Sequence, residues 1–459
     1  MTENSRSFSM LMAGALCTGF FCFPSYAFAS DYSRPLIGIS PKDKLDFHIG
    51  ESVFQKFWVP APSSTTASDG LGPLFNTRSC NSCHLQNGRG HAPIANESGT
   101  TVPSTLIRLG KSYPNYNLPA DTIYPHIGDR TYGHQFQGQS SPGILPEGDY
   151  YLTYHTHTET LNDGTTVELR KPNLHWSQLN YGDLEDSTGF TMLVSPALVG
   201  MGLLDNIPDE NIIANADPDD KNNDGISGKV SWVDSNKSII GRFGYKAAAP
   251  SVSIQNQTAF NTDLGLSTPL KTAPSGDCTE LQQDCLASPN GNSPHLGDLE
   301  VDQQQSRLVD LFVSLSSPPA MRNISDPLFL EGKNLFDQLG CASCHIPKMN
   351  TGEKSKFAVL NNRTFYPFTD MLLHDMGPEL AGGFPSFSAI PSEWRTAPLW
   401  GMGLSKKVSG RVGFLHDGRA QTIEEAILWH GGEAERSQGH YKNLNKEQRK
   451  KLIYFLESL

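Results

Sequence analysis

A five-residue pattern, C-x-x-C-H, occurs twice in this sequence, at residues 80–84 and 341–345. In c-type cytochromes the two thiols of this pattern add to the vinyl groups of a haem, and the adjacent histidine becomes the proximal iron ligand. The whole chain has only eight cysteines, so two copies of the pattern are hard to attribute to chance. The sequence therefore predicts two covalently bound haems c. Their predicted attachment and ligand residues are Cys80, Cys83, His84, Cys341, Cys344 and His345.

Two other uses of paired cysteines explain the pattern less well. A zinc site would combine the two pairs into one four-cysteine centre and would leave both histidines unexplained. A thioredoxin-like redox pair needs a strand before the motif and a helix after it, whereas the segment GKNLFDQLG before Cys341 has the pattern of a helix. Haem attachment accounts for all three conserved letters of the motif in both copies.

Residues 1–29 have the pattern of a secretory signal peptide. Arg6 is followed by an apolar stretch over residues 10–23 and by an Ala-x-Ala cleavage site at residues 27–29. We therefore expect a periplasmic or secreted protein.

The cysteine count then predicts one disulfide. Cys17 and Cys22 lie inside the signal peptide, and four of the remaining six cysteines belong to the haem motifs. Cys278 and Cys285 are left to pair with each other. Closing this short loop would stabilise the fold by about 2.5 kcal/mol, and an oxidising compartment permits the bond.

Length and charge limit the class of protein and its partners. About 430 mature residues exceed a single cytochrome c module and indicate two or three lobes. The formal net charge of −12 disfavours nucleic acid and favours a cationic redox partner protein. No apolar stretch after residue 29 is long enough to cross a bilayer, so we predict no membrane span.

The internal repeat extends beyond the cysteines. The segments HIGESVFQKFW and EGKNLFDQLG, ahead of the two motifs, each place a phenylalanine four residues after a glycine. QQQSRLVDLFVSL and NKEQRKKLIYFLESL each have apolar residues near helical spacing. We therefore predict a mainly α fold of two cytochrome c-like haem domains, at residues 30–322 and 323–459. The first carries an insertion at about 150–300, where YYLTYHTH and TTVELRKP alternate as β-strands do.

Longer strings along the mature chain carry a family resemblance. They are SCNSCHLQNGRG, LVSPALVGMGLLDNIPD, GRFGYKAAAPSVSIQNQTAF, YPFTDMLLHDMGPEL and FLHDGRAQTIEEAILWHGGEAERS. They resemble the di-haem oxidoreductase family of peroxidases or thiol oxidoreductases, which is similar in turn to bacterial di-haem cytochrome c peroxidases. The resemblance implies an enzyme with two haems, with peroxide reduction as the favoured reaction. Two alternatives stay open: an electron-transfer cytochrome without substrate turnover, and an enzyme that oxidises a thiol or other sulfur compound.

The same resemblance implies catalytic residues near the first haem. In the peroxidase relatives, a glutamine and a glutamate ten residues later line its distal side, and Gln137 and Glu147 have that spacing here. Glu147 would move a proton between the peroxide oxygens while Gln137 holds the ligand. Taken alone, the two residues also fit a polar turn before a strand. His91 and His134 are the candidate distal ligands of this haem, although each also fits a surface loop.

For the second haem, the relatives place the distal ligand fourteen residues after the histidine of an F-x-H-D-G motif. Counting from His416 leads to His430, where the relatives have methionine or tyrosine. Two histidine ligands imply a lower potential than histidine with methionine. Met376 is the alternative ligand. The neighbouring Trp429 either relays electrons or fills the core.

One loop has the composition of a calcium site. DDKNNDGISG places Asp220, Asn222 and Asp224 at alternate positions before Gly225. Ser231 stands where an EF-hand has its acidic twelfth residue. The sequence therefore predicts either a calcium site unlike an EF-hand or a solvated turn.

Overall fold

The computed structural model describes residues 32–112, 124–411 and 413–459. The predicted signal peptide, with Cys17 and Cys22, lies outside the described residues. The helices are α1 (Pro41–Gln55), α2 (Cys80–Cys83), α3 (Met201–Asp205), α4 (Asp209–Ile213), α5 (Val252–Leu264), α6 (Gln283–Leu286), α7 (Gln303–Leu315), α8 (Pro327–Gln338), α9 (Ser405–Ser409), α10 (Ile423–Leu428), α11 (Glu435–Lys442) and α12 (Lys446–Ser458). The strands are β1 (Leu74–Phe75), β2 (Thr105–Gly110), β3 (Gln139–Ser140), β4 (Gly148–Thr160), β5 (Thr166–Leu179), β6 (Gly189–Val194), β7 (Met349–Asn350), β8 (Thr364–Phe365), β9 (Leu373–Asp375) and β10 (Glu393–Arg395).

Helices α1 and α7 cross where Gly50 lies against the backbone of α7. A Cβ atom at this position would clash with the carbonyl oxygen of Leu308, so the close approach requires glycine. Phe47 and Phe54 flank the crossing and pack on Phe312, with ring centroids 4.9 and 5.1 Å away. The glycine and phenylalanine of the sequence repeat thus form the contact between the two ends of the predicted first domain.

Helices α8 and α12 repeat this crossing in the second half of the chain. A Cβ atom at Gly332 would clash with the carbonyl oxygen of Lys451. Phe329 and Phe336 pack on Phe455, with ring centroids 5.1 and 5.3 Å away. The four terminal helices predicted from the sequence are therefore present, and they form two equivalent pairs. The domain boundary near residue 322 stays a prediction.

These four helices begin at side chains that accept a backbone N–H of the first turn. Such a cap typically stabilises a helix by about 1 kcal/mol. The capping residues are Ser40, Asp302, Asp326 and Asn445.

The structure is a mixed α and β fold, with 31% helix and 18% strand, so the predicted fold class is confirmed only in part and the fold is less helical than expected. Strands β4 and β5 form a long antiparallel hairpin, and β2 pairs antiparallel with β6. The hairpin lies where the sequence alternates between apolar and polar residues. Strands β2 and β6 were missed because their six-residue runs have no regular alternation, and short apolar runs do not distinguish strand from helix.

Buried side chains form two large clusters. The first includes residues of α1, α5 and α7, and the second includes residues of α8, α10 and α12. A smaller aromatic cluster, with Tyr132, Phe136 and Tyr150, lies beside the β4–β5 hairpin. Each pair of crossing helices thus belongs to its own core.

Two further predictions concern covalent bonding and membranes. A disulfide joins Cys278 and Cys285, whose Cα atoms are 6.2 Å apart. Within the described residues, no helix has both the length and the apolar composition to cross a membrane.

Candidate functional site

The first C-x-x-C-H motif comprises helix α2 and the residue after it. Cys80 and Cys83 are free thiols. Nδ1 of His84 lies 2.7 Å from the carbonyl oxygen of Pro196. A carbonyl oxygen can only accept a hydrogen bond, so Nδ1 carries the proton and Nε2 keeps a lone pair for a metal ion. Burial lowers the pKa of His84 to about 4, which keeps the ring neutral.

The second motif has the same arrangement. Cys341 and Cys344 are free thiols. Nδ1 of His345 lies 2.9 Å from the carbonyl oxygen of Phe368, so Nε2 is again the nitrogen with the free lone pair. Burial lowers the pKa of His345 to about 4.

Both motifs fit a c-type haem. Each offers two thiols and one neutral imidazole, and a backbone carbonyl fixes the tautomer of that imidazole as it does for many metal-bound histidines. Burial also raises the pKa of Cys80 and of Cys341 to about 12.

His430 lies just after helix α10, close to the second motif. Its Nδ1 is 2.7 Å from the carbonyl oxygen of Ala426, which leaves Nε2 available as a ligand. Burial is the main cause of the low pKa of His345, and the charge of His430 contributes to it as well. Met376, the alternative ligand, packs beside the second core, and its carbonyl oxygen lies next to Gly431. Both candidates are thus near one loop, and the choice between them stays a prediction.

Trp429 is buried beside His430. The guanidinium of Arg419 lies 4.5 Å above its ring, and the ring of His157 approaches edge-on at 5.4 Å. Its indole N–H has no hydrogen-bond partner among the described residues. These are packing and cation–π contacts, so a role in electron transfer stays a prediction.

Gln137 and Glu147 lie together in the interior. The two oxygens of Glu147, which is 1% exposed, accept hydrogen bonds from the backbone N–H of Gln137 at 2.5 Å and from the side chain of Gln282 at 2.7 Å. The amide nitrogen of Gln137 donates to the carbonyl oxygen of Thr262 at 2.7 Å. Its amide oxygen is buried and has no partner among the described residues. Burial raises the pKa of Glu147 well above its usual range, which favours the protonated form of this carboxyl group.

Asp263 connects this pair to the first motif. It directly follows Thr262, and its carboxylate accepts a hydrogen bond from Gln135 at 2.8 Å. After burial, the charge of Asp263 is the largest influence that raises the pKa of Cys80 and Cys83. Residues 262 and 263 thus link the Gln137–Glu147 pair to the first motif, and the role of the pair at a haem stays a prediction.

The two candidate distal histidines lie in different surroundings. His91 is half-buried, and its backbone carbonyl accepts the hydroxyls of Ser104 and Thr105. Nδ1 of His134 lies 3.0 Å from the carboxylate of Asp277. The distal ligand of the first haem stays a prediction.

The predicted calcium loop is an exposed turn with internal hydrogen bonds. The backbone N–H of Asp224 donates to side-chain oxygens of Asp220 and Asn222, at 3.0 Å in both cases. Ser231, at the twelfth position, is buried and donates to the carbonyl oxygen of Ala247 at 2.9 Å, so it points away from the loop. Calcium binding stays a prediction.

Sequence reasoning missed a buried histidine, His374, near the second motif. Its two ring nitrogens lie 2.8 Å from a carboxylate oxygen of Asp370 and 2.7 Å from one of Glu433. Burial opposes a charge on this ring, but the bonds to Asp370 and other neighbours outweigh it and raise the pKa of His374 to about 12. Cys344, Asp370 and His374 are close enough to share a metal ion. Both ring nitrogens of His374 already face carboxylates, however. Asp370, His374 and Glu433 therefore form a charged hydrogen-bond triad. His374 lies in the segment LLHDMGPEL and Glu433 in the segment HGGEAERS, and no sequence spacing between them predicts their contact.

Comparison with protein families matches residues 12–108 and 126–459 to a family described as "Di-haem oxidoreductase, putative peroxidase". No curated protein matches the chain. Among solved structures, the chain is similar to Kuenenia stuttgartiensis hydrazine synthase pressurized with xenon, with 13% identity over 100% of both chains and a TM-score of 0.37. A TM-score this low supports no conclusion about fold or function. The family match includes both C-x-x-C-H motifs and nearly the whole sequence. The chain therefore belongs to the di-haem oxidoreductase family.

Proposed function

We propose that this protein reduces peroxide at the first of two covalently bound haems c, in the periplasm or outside the cell. Family membership supports an oxidoreductase with haem cofactors. The free thiols and the oriented imidazoles of both motifs support covalent attachment at Cys80, Cys83, Cys341 and Cys344.

The buried carboxyl group of Glu147 is the observation that carries this proposal. Reducing hydrogen peroxide to two waters consumes two protons and two electrons. A bound haem supplies the iron at which the O–O bond breaks. Burial raises the pKa of Glu147, which favours the protonated form that can donate a proton to the leaving oxygen. The unpartnered amide oxygen of Gln137 can accept a hydrogen bond from the peroxide and so hold it in place.

The second haem is the proposed entry point for electrons. His345 and His430 each present an Nε2 with a free lone pair, which supports an iron bound by two histidines. Such a haem suits electron transfer because it leaves no position for substrate. The net charge of −12 favours a cationic redox partner as the donor.

The test uses the purified wild-type protein, both as isolated and after one-electron reduction. We expect it to consume hydrogen peroxide while it oxidises a reduced donor dye, and we expect cyanide to shift the Soret band. Thiosulfate and a simple thiol serve as competing substrates. A protein that neither consumes peroxide nor binds cyanide would be an electron carrier, and oxidation of thiosulfate alone would indicate sulfur chemistry. Either result would contradict the proposal.

The ligand assignment of the second haem predicts the effect of His430→Met. The substitution should raise the potential of one haem by on the order of 100 mV, because methionine favours reduced iron more than histidine does. It should also introduce the weak far-red absorbance of methionine ligation. Met376→Leu is the control and should change neither property. If the wild-type protein already has the far-red band and Met376→Leu removes it, Met376 is the ligand.

A further inference from the structure

A cavity of about 430 Å³ lies between residues 124–134 and residues 276–279. Its lining includes Tyr124, His126, Asp129, His134 and Asp277. The proximal histidines and the Gln137–Glu147 pair are absent from the lining, whereas His134, a candidate distal ligand of the first haem, belongs to it.

The imidazole ring of His126 is buried in the wall of this cavity. The residue is 5% exposed, and neither ring nitrogen makes a hydrogen bond of good geometry among the described residues, although the backbone of Leu109 interacts with the ring. Its ring packs against Phe384, with centroids 4.4 Å apart. Burying a polar ring without good hydrogen bonds is unfavourable, so the arrangement points to a ligand that completes the site.

His134, on the same cavity, is held as metal-binding histidines commonly are. The carboxylate of Asp277 lies 3.0 Å from its Nδ1, which fixes the proton there and leaves Nε2 as a donor atom for a metal ion. The backbone N–H groups of His134 and Gln135 donate to the other oxygen of Asp277, at 2.6 and 3.0 Å. The ring of Tyr124 stacks on His134 at 3.8 Å. The imidazole is therefore fixed both in its plane and in its tautomer.

We propose that His126 and His134 form a binding site for a divalent transition-metal ion such as Zn²⁺, with Asp277 as the positioning residue of His134. The two ring centroids are 5.4 Å apart. Tetrahedral zinc bound at about 2.0–2.1 Å needs its two imidazole nitrogens roughly 3.3 Å apart, so the free nitrogens of the two rings would have to be that close in the zinc-bound state.

The surroundings determine the kind of ion and its remaining ligands. Imidazole nitrogens favour zinc, copper and nickel over calcium and magnesium. The charges of Arg108 and Lys271 reach His126 and oppose a cation, but the carboxylates of Asp129 and Asp277 line the same cavity and offset them. Asp129 is already fully used by hydrogen bonds from Thr131, Tyr132, Glu185 and Thr188. Water therefore completes the coordination, which leaves the ion open to a further ligand.

The test measures zinc bound to the holoprotein, purified without a histidine tag and stripped with a chelator. After equilibrium dialysis against Zn²⁺, we expect one zinc ion per chain in addition to haem iron. X-ray absorption at the zinc edge should show two histidine nitrogens. His126→Gln and His134→Gln should each weaken binding by about 100-fold or more, and Asp277→Asn by about 10–100-fold.

His155→Gln, at an exposed position of β4, is the matched control and should bind zinc like the wild type. Thermal unfolding and the Soret band show whether each variant is folded. The side chain of His134 is only partly buried, so the His134→Gln variant tests the site even if His126→Gln is unstable. Unchanged zinc binding in the His134→Gln and Asp277→Asn variants would overturn the proposal. A change of haem spin state in His126→Gln or His134→Gln before any zinc is added would also overturn it, because that residue would then be an iron ligand.

Discussion

Glu147→Gln is expected to lower peroxide turnover by about 10²–10⁴-fold, the usual range for loss of a general acid–base group. Both haem spectra should stay nearly unchanged, because the substitution preserves side-chain volume and touches no proposed iron ligand. The amide oxygen of the new glutamine can still accept one of the two hydrogen bonds that Gln137 and Gln282 now donate to the carboxyl group, and its NH2 group faces the other donor. Stopped-flow absorbance with hydrogen peroxide measures the effect.

The pH dependence of the same reaction gives a second measurement. Burial raises the pKa of Glu147, so the group keeps its proton to a higher pH than an ordinary carboxyl group and loses it as pH rises through that raised pKa. Peroxide turnover should therefore fall at alkaline pH in the wild type, and this fall should be absent from the residual activity of Glu147→Gln. Glu280→Gln, at an exposed position near Gln282, is the control and should keep the wild-type profile. Wild-type turnover in Glu147→Gln would show that its spacing from Gln137 is a coincidence of the loop.

Replacing both cysteines of the second motif should remove one haem per chain. Cys341→Ala with Cys344→Ala leaves no thiol for attachment there, so haem that survives acid–acetone extraction should fall from two per chain to one. Peroxide turnover with a protein donor should fall to background, because the proposed path for electrons is lost. Pyridine haemochrome spectra give the haem count.

The disulfide provides a matched control for the loss of two cysteines. Cys278→Ala with Cys285→Ala should keep two haems and lose about 2.5 kcal/mol of stability. Haem that is fully extractable from the wild type, or zinc bound in its place, would contradict covalent attachment at Cys341 and Cys344.

The sequence predicted what is local along the chain. Helices α1, α7, α8 and α12 were predictable because a helical period or a Gly-x-x-x-Phe spacing fits inside one segment, and the hairpin followed from its alternation. The pairing of Gln137 with Glu147 was accessible only through the family resemblance, since the residues alone equally fit a turn.

Contacts between distant segments were not predictable. His374 contacts Glu433, and His126 and Asp277 line the same cavity. These residues are far apart in the sequence, and no motif or periodic spacing predicts that they come together. The short strands β2 and β6 find each other across about 80 residues, again without a local pattern. Tertiary packing decides such contacts, so they appear only in the folded chain.

The crossing of α1 and α7 at Gly50 cannot form until α7 has been synthesised, and the crossing of α8 and α12 must likewise wait for α12. Helix α1 has no partner until α7 has been made, about 220 residues after the first motif, whereas α12 follows the second motif by only about 100 residues. At about 5–20 residues per second, the first motif waits roughly 10–45 s and the second roughly 5–20 s. The insertion before α7 thus roughly doubles the period in which Cys80 and Cys83 stay outside a closed core and accessible to modification.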